Sequence, residues 1–583
     1  MSTQLELPTH WKLRAIDAPL RDALSRSLGL SRTLAGLLAA RGHHDPAAVR
    51  DLVDPKLGSL HDPRLMPGMQ AACERVRAAI ERGETILVHG DYDVDGVTGT
   101  ALLMRLLKLV GAKAVWHIPD RFKDGYSFGA HSVERAEASG ARLVISVDNG
   151  TSAGETIREL ARIGVDVIVT DHHEPPADGT LPEAVAILNP KLSGSSYPFR
   201  ELCGGAVAFK LAWGVAQTIS GADRVRADLR DFLVEAMAYV AIATVSDVVP
   251  LVDENRVLAR YGLRSLETSR NPGLRALLSV SNLNDRALDA EDIAFQIGPR
   301  INASGRLGSA AKAVEVLLAE DEGSARRAAL ELDLFNEERK RISAELLPRV
   351  LEAAQVYADP AEHPLLVLAG QGWHQGLVGV LASKVAEQFD RPAILIGLNG
   401  QSGRGSARTV EGFHLLEAIE AGREHVIRAG GHGQAAGLEI ESERVDAFRA
   451  AVNAKAREML RTKPRSRRTL LIDGELSFGE VNQGLMRDLD RLRPFGAGHE
   501  KPRFLSRGLR LAEEPRLLGA DRSHLSVQLR SGAQLLRAMA FRMGARAGEL
   551  RLGQDIQAVY TPKWNHFRGE TKLELELVDF RCG

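Results

Sequence analysis

Val88-His89-Gly90-Asp91-Tyr92-Asp93-Val94-Asp95-Gly96 decides how this chain is read. Upstream, Thr85-Ile86-Leu87-Val88 is an apolar, β-branched run of the kind that forms a buried strand. Downstream, Val97 to Val110 carries apolar residues at helical spacing. His89, Asp91, Asp93 and Asp95 therefore fall where a strand gives way to a helix, which is where open α/β sheets bind ligands. Carboxylates at every second position repel one another unless cations lie between them. Oxygen ligands with one imidazole suit Mn²⁺ or Mg²⁺ better than a thiolate-seeking metal. A solvated acidic turn or an EF-hand-like fragment would carry the same letters, so the metal reading needs ligands from elsewhere.

Working outward, the pattern alternates. Strands are predicted at Thr85–His89, Lys113–Ile118, Arg142–Val147 and Val165–Thr170, and helices at Gly96–Val110, His131–Ser139 and Ser152–Ile163. This alternation predicts a parallel sheet covered by helices on both faces. The further ligands lie at the ends of these strands. The strand before residue 148 runs into Asp148-Asn149-Gly150, and the next runs into Asp171-His172-His173. If the strands are parallel, all three sets emerge on one edge of the sheet. A lone Asp at a strand end is usually a helix cap, but recurrence at three ends is not explained that way. A fourth candidate, Asp247, closes the apolar, helix-like run Val240–Ser246.

At 583 residues the chain should hold roughly three to five domains. Its 44% hydrophobic and 26% charged content is that of a globular protein, and a net charge of -1 neither demands nor excludes a polyanion partner. Met1 to Arg14 lacks the apolar core of a signal peptide, and no run reaches the roughly 18 apolar residues of a membrane span. Cys73, Cys203 and Cys582 are too few and too scattered for a disulfide framework or a zinc site. A cytoplasmic protein without membrane attachment is expected. Neither a dinucleotide-binding G-x-G-x-x-G after the first strand nor a P-loop is present.

Before residue 70, Leu28 to Ala40 reads as one helix, and His43-His44-Asp45 as a solvated loop. Glu322 to Val356 is long, charged and helical in period, followed by a second α/β unit from Pro364 to Arg461. Its strands are expected at Leu365–Ala369 and Ala393–Gly397, with a helix at Leu377–Gln388. Its glycine-rich stretches, Gly403-Arg404-Gly405-Ser406-Ala407-Arg408 and Gly430-Gly431-His432, are expected to be loops whose amides and guanidinium groups suit an anion. Arg461 to Arg468 is basic and linker-like. After Thr469 the short strand-like runs Leu470–Asp473, Phe504–Leu511, Leu525–Leu529, Leu535–Phe541, Ile556–Tyr560 and Lys572–Val578 predict a small barrel. Phe495, Tyr560, Trp564 and Phe567 are the aromatics available there for stacking.

Asp91-Tyr92-Asp93-Val94-Asp95-Gly96, Val147-Asp148-Asn149-Gly150, Asp171-His172-His173 and Ser246-Asp247 resemble the four successive motifs of the DHH phosphoesterase superfamily. Gly298-Pro299-Arg300-Ile301-Asn302-Ala303-Ser304-Gly305-Arg306, Gly372-Trp373-His374-Gln375-Gly376 and the two glycine-rich stretches extend the resemblance to the RecJ single-stranded-DNA exonucleases. It runs from about residue 80 to the C-terminus; Ile301, Ser304 and Thr409 depart from relatives at positions that touch no expected ligand.

The resemblance implies a multidomain α/β protein. Residues 1–70 are a lead-in, 71–320 a DHH catalytic domain, 321–360 a connecting helix, 361–461 a DHH-associated domain and 469–583 an OB fold, a common single-strand platform. It also implies two divalent cations, Mn²⁺ or Mg²⁺, with Asp148 bridging, His89 and Asp93 on one ion, and Asp95, His172 and Asp247 on the other. Asp91 and Asp171 would orient ligands. His173 and Arg306 would stabilise transition-state charge, and Arg300, Asn302, Arg306, His374, Arg404, Ser406, Arg408, Gly430, Gly431 and His432 would contact phosphate. The implied activity is removal of 5′-mononucleotides from the 5′ end of single-stranded DNA in repair and recombination, with a helicase and a single-strand-binding protein as partners. A hydrolase of short oligonucleotides or cyclic dinucleotides would not need the barrel. An inactive DNA-binding scaffold would show broken ligands, and here all are present.

Overall fold

The computed structural model describes residues 10–124, 128–221, 224–431, 433–462, 469–567 and 570–583. The chain enters through β1 (His10–Leu13) and three helices, α1 (Ala18–Leu28), α2 (Arg32–Ala40) and α3 (Pro46–Val53). The single helix expected over Leu28–Ala40 is broken in two. Gly29 leaves α1 with φ 62°, and the Ser31 side chain caps α2 by accepting from Leu34 N. Asp45 caps α3, accepting from the amides of Ala47 and Ala48.

Next come α4 (Met69–Glu81), β2 (Thr85–His89), α5 (Val94–Leu109), β3 (Ala114–His117), α6 (Ala130–Ser139), β4 (Ala141–Val147), α7 (Gly154–Arg162), β5 (Asp166–Thr170) and β6 (Ala186–Leu188). The strands form one parallel sheet in the order β3-β2-β4-β5-β6. Every residue of β2 is buried, because helices cover both faces and a continuous apolar run is then required. Helix α5 starts two residues before the expected Gly96: Asp93 turns back as its cap and accepts from the amides of Asp95 and Gly96. Two largely buried helices, α8 (Gly204–Ser220) and α9 (Ala227–Ser246), complete this core around α5.

A 34-residue helix, Glu322–Gln355, spans about 51 Å at 1.5 Å per residue and leads into a second sheet. That sheet contains β7 (Leu366–Gln371), β8 (Ala393–Asn399), β9 (Ser402–Arg408), β10 (Arg428–Gly431) and β11 (Ala435–Glu441), ordered β10-β11-β9-β8-β7. Only β7 and β8 run parallel. The stretch Gly403–Arg408, expected as a loop, is therefore a central strand paired on both sides. Its glycines are needed for packing: a Cβ at Gly405 would stand 2.8 Å from Leu438 and one at Gly403 2.6 Å from Leu398.

The last sheet has seven strands, from Gly474–Glu475 to Glu570–Cys582, and an extra pairing between Phe504–Leu511 and His524–Ser531 closes it toward a barrel. Tyr560 is wholly buried with its hydroxyl 2.7 Å from Ser506 Oγ, and Phe495 is buried and stacked on His499; both are core rather than stacking platforms. Trp564 Nε1 donates to Asp490. The side chain of Phe567 and residues 463–468 of the basic linker lie outside what is described.

The N-terminal segment belongs with this barrel rather than standing as a separate lead-in. β1 pairs in parallel with Thr469–Ile472, Trp11 Nε1 donates to Asp579, and Leu24, Leu34, Leu38 and Val49 share one core with Phe478, Met486 and Phe504. Buried Arg256 locks the arrangement to the first α/β body, donating to the carbonyls of Leu52, Arg491, Arg493 and Pro494. No helix among the described residues is long and apolar enough to cross a membrane.

Candidate metal centre and phosphate site

The ends of β2, β4 and β5 deliver their acidic and imidazole side chains to one place, joined there by Asp247 at the C-terminal end of α9. Ligand atoms lie within 4.8 Å of one another in three linked sets: Asp91, Asp93 and Asp148; Asp95, His172 and Asp247; and Asp148, His172 and His173. His172 Nε2 is 3.2 Å from Asp148 Oδ1 and 3.7 Å from an oxygen of Asp95 and of Asp247. Asp148 and His172 each belong to two of the sets and so link all three, and the Asp148 backbone is held at φ 64°, a region that non-glycine residues rarely enter.

The electrostatics of this cluster call for cations. Burial, then the neighbouring Asp93 charge, pushes Asp91 and Asp95 up to about 7. Burial and repulsion from Asp95 and Asp93 carry Asp247 up to about 8, and Asp148 is driven well above the usual carboxylate range. Asp148 Oδ1 and His172 Nδ1 are buried without a hydrogen-bond partner among the described residues. His172 is pushed down to about 3, chiefly by burial, so the imidazole is neutral and able to donate a lone pair. Five clustered carboxylates with orphaned oxygen and nitrogen atoms fit two divalent cations sharing Asp148.

Asp171 stands outside these sets. It accepts from the amides of Thr151, His172 and His173 and from His173 Nδ1 at 2.7 Å, and these bonds hold its carboxyl below the usual range despite burial. Burial opposes charge on His173 too, but Asp171 outweighs it and lifts the imidazole to about 9. A half-exposed imidazolium therefore faces the carboxylate cluster, 3.9 Å from Asp148.

Two glycines absent from the sequence reading complete the cluster. The Gly204 and Gly205 amides at the start of α8 donate to the two oxygens of Asp95, at 2.6 and 2.5 Å. A Cβ at Gly204 would stand 2.6 Å from Asp148, and one at Gly205 2.9 Å from Asp95 Oδ1. The available signal was Cys203-Gly204-Gly205 opening a long apolar helix.

Where the sequence reading set His89 beside Asp93 and Asp91 behind them, the structure groups Asp91 with Asp93 and Asp148, and His89 with His117 and His131. The register explains this. His89 pairs with His117 across β2 and β3, so both rings point to the same face, toward α6, where Phe128, His131 and Ser132 receive His89.

Beside the carboxylates lies a basic wall. Arg306, on the helix Gly298–Leu307, donates to the Gly376 carbonyl; burial, with Arg121, Arg408 and Arg339 nearby, lowers its guanidinium to about 9. Arg408 donates to Ser406 Oγ and the Ala407 carbonyl, and Arg404 reaches across to the carbonyl of Arg121. The Arg121 guanidinium lies 4.0 Å from the Tyr92 ring centroid. None of these four arginines has a carboxylate within 4.0 Å among the described residues, so their charge is available to an external anion. Arg121, an isolated residue between strand and helix, had no motif to reveal it.

His374 is half-buried, with Nδ1 accepting from Gly376 N and its ring edge-on to Phe122, and Asn302 is half-buried on the Arg306 helix. Gly430 and Gly431 are exposed on β10, and His432 lies outside the described residues. Arg300 differs from its expected phosphate role. It is buried and occupied by Asp333 at 2.9 Å and by the carbonyls of Gln296 and Val280, fastening its helix to the long connecting helix.

Known proteins agree with this architecture. Residues 85–240 match the DHH family N-terminal domain, 362–458 the DHHA1 domain and 472–579 the RecJ OB domain. The single-stranded-DNA-specific exonuclease RecJ of Bacillus subtilis is 33% identical over 98% of this chain and 70% of its own. RecJ of Thermus thermophilus in complex with Mn²⁺ superposes with a TM-score of 0.82 at 29% identity, covering 98% of this chain and 79% of that one. Its Mg²⁺ complex gives 0.76 at 28% identity, with 98% and 78% covered. The chain belongs to the RecJ family of single-stranded-DNA-specific exonucleases.

Proposed function

We propose that this chain removes nucleotides from the 5′ end of single-stranded DNA by two-metal phosphodiester hydrolysis, releasing 5′-mononucleotides. The observation that carries the reading is a strained, buried Asp148 shared between two ligand sets, beside arginines that have no carboxylate within 4.0 Å among the described residues. Asp91, Asp93 and Asp148 would hold one Mn²⁺ or Mg²⁺, and Asp95, Asp148, His172 and Asp247 the other. When bound, the pair activates water toward phosphorus and neutralises the charge that develops there.

The protein's own groups do the rest. Asp171 fixes the orientation of His173 and keeps it protonated, placing a donor where the phosphoryl oxygens and the departing O3′ gain charge as the P–O3′ bond breaks. Arg121, Arg306 and Arg408 hold the strand's phosphates, with Ser406 fixing Arg408. The barrel holds the rest of the strand, on the 3′ side of the scissile bond, which a short-oligonucleotide hydrolase would not require. Intact ligands argue against an inactive scaffold. Repair and recombination in the cytoplasm is the corresponding setting, with a helicase supplying single strands and a single-strand-binding protein presenting them.

The test is single-stranded DNA labelled at the 5′ or the 3′ end, incubated with Mn²⁺, with EDTA, and with Asp148→Ala. Immediate release of 5′-labelled mononucleotide, abolished by both controls, is expected. Shortening from the 3′ end would overturn the polarity. Hydrolysis of dinucleotides alone would overturn the polymer substrate, and tight binding without hydrolysis would leave only a scaffold.

A further inference from the structure

The His89, His117 and His131 group takes no part in the proposed hydrolysis. We propose that it is a separate cation site, selective for a divalent transition metal of borderline softness such as Zn²⁺ or Co²⁺ and not for the hard cations of the carboxylate cluster. One ring nitrogen of each histidine lies within 4.8 Å of one of each of the others. Zinc–imidazole bonds of about 2.0–2.1 Å place the nitrogens of a tetrahedral site about 3.3 Å apart, so small rotations close the group around an ion.

Three different elements supply the ligands: the last residue of β2, the last residue of β3 and the first turn of α6. Ring centroids are 5.1, 5.5 and 5.7 Å apart around the triangle. Ser132 Oγ lies 2.9 Å from His89 Nε2 and 3.4 Å from His131 Nε2, the kind of outer contact that orients ligating imidazoles. His89 is completely buried, and two nitrogens of the group, His89 Nδ1 and His117 Nε2, are buried without a hydrogen-bond partner among the described residues. A packed histidine core would leave those atoms desolvated at a cost, whereas an ion satisfies them. The group contains no carboxylate, and imidazole-only donors suit Zn²⁺, Co²⁺ or Ni²⁺ over Mg²⁺ and Mn²⁺. His117 and His131 are only half-buried, which leaves an entry path.

The experiment uses the full chain with the carboxylate cluster disabled by Asp148→Asn and Asp247→Asn. Co²⁺ is titrated and followed by visible absorption, then displaced with Zn²⁺. One retained equivalent with a tetrahedral band is expected, with affinity at least tenfold weaker after adding His117→Ala or His131→Ala. No retained Co²⁺, or a retained ion indifferent to both substitutions, would overturn the proposal. If His117→Ala does not fold, the chain with only the carboxylate cluster disabled decides the matter. Zn²⁺ should shield His117 and His131 from diethylpyrocarbonate, read by mass spectrometry, and unchanged modification would be equally fatal. Because the carboxylate cluster is disabled throughout, the result is independent of whether the nuclease reading holds.

Discussion

Asp148 adopts φ 64° among four other aspartates; its conformation costs stability throughout, and its charge does so until a cation is present. In cation-free protein, Asp91 and Asp95, at about 7, and Asp247, at about 8, keep protons that the unfolded chain releases above about pH 4. These carboxyls make the folded state bind more protons than the unfolded one, while buried His172, held near 3, pulls the other way up to its unfolded value of about 6.5, so the net fall in stability is expected as pH rises from about 6.5 to about 8. His173, at about 9, extends the same trend upward. In EDTA, Tm is expected to decline across that window and Mn²⁺ to remove the decline; a flat profile in EDTA would contradict buried, uncompensated carboxylates. A second residue-scale expectation concerns Gly205. Its missing Cβ leaves room for Asp95 Oδ1 and Ala243, so Gly205→Ala should weaken Mn²⁺ binding about 10–100-fold, as displacing a ligand's orienting contacts does. Calorimetry with Mn²⁺ reads this directly, and unchanged affinity would show that α8 does not set the carboxylate.

β9 is the element that carries Arg404, Ser406 and Arg408 toward the Arg121 loop, and a central strand aims them more firmly than a loop could. If Arg408 and Arg121 contact phosphates, Arg408→Ala or Arg121→Ala should weaken binding of every single-stranded sequence alike. Each should also reduce the slope of log affinity against log salt by about 1. Fluorescence anisotropy at several salt concentrations measures both, and an unchanged slope would remove these residues from the DNA path. At this scale the catalytic sheet was legible, because doubly covered parallel strands must be continuous apolar runs and their ends mark the ligands. The aim of His89 was not legible, since it depends on the register of β2 against β3. Nor was the strand character of Gly403–Arg408, because glycines chosen for close packing look the same in sequence as glycines chosen for a turn. Arg121 left no trace at all, being one residue brought to the site by folding.

Over the whole molecule, the N-terminal helices complete the hydrophobic core of a barrel that begins at Thr469, and nothing local to residues 10–53 announces that partner. The order of synthesis makes this a problem of time. Val53 leaves the ribosome about 400 residues before Thr469, a gap of about 20–80 s at about 5–20 residues per second. Throughout it, Leu24, Leu34, Leu38 and Val49 have no barrel to cover them. Nascent chains arrested before Thr469 are therefore expected to bind a hydrophobic dye or a chaperone through α1–α3, and arrested chains with these four leucine and valine residues changed to serine should not. Equal binding by both would mean that the early helices find temporary cover elsewhere. The arrangement makes the exposed nascent segment, rather than the finished enzyme, the species most vulnerable to aggregation during expression.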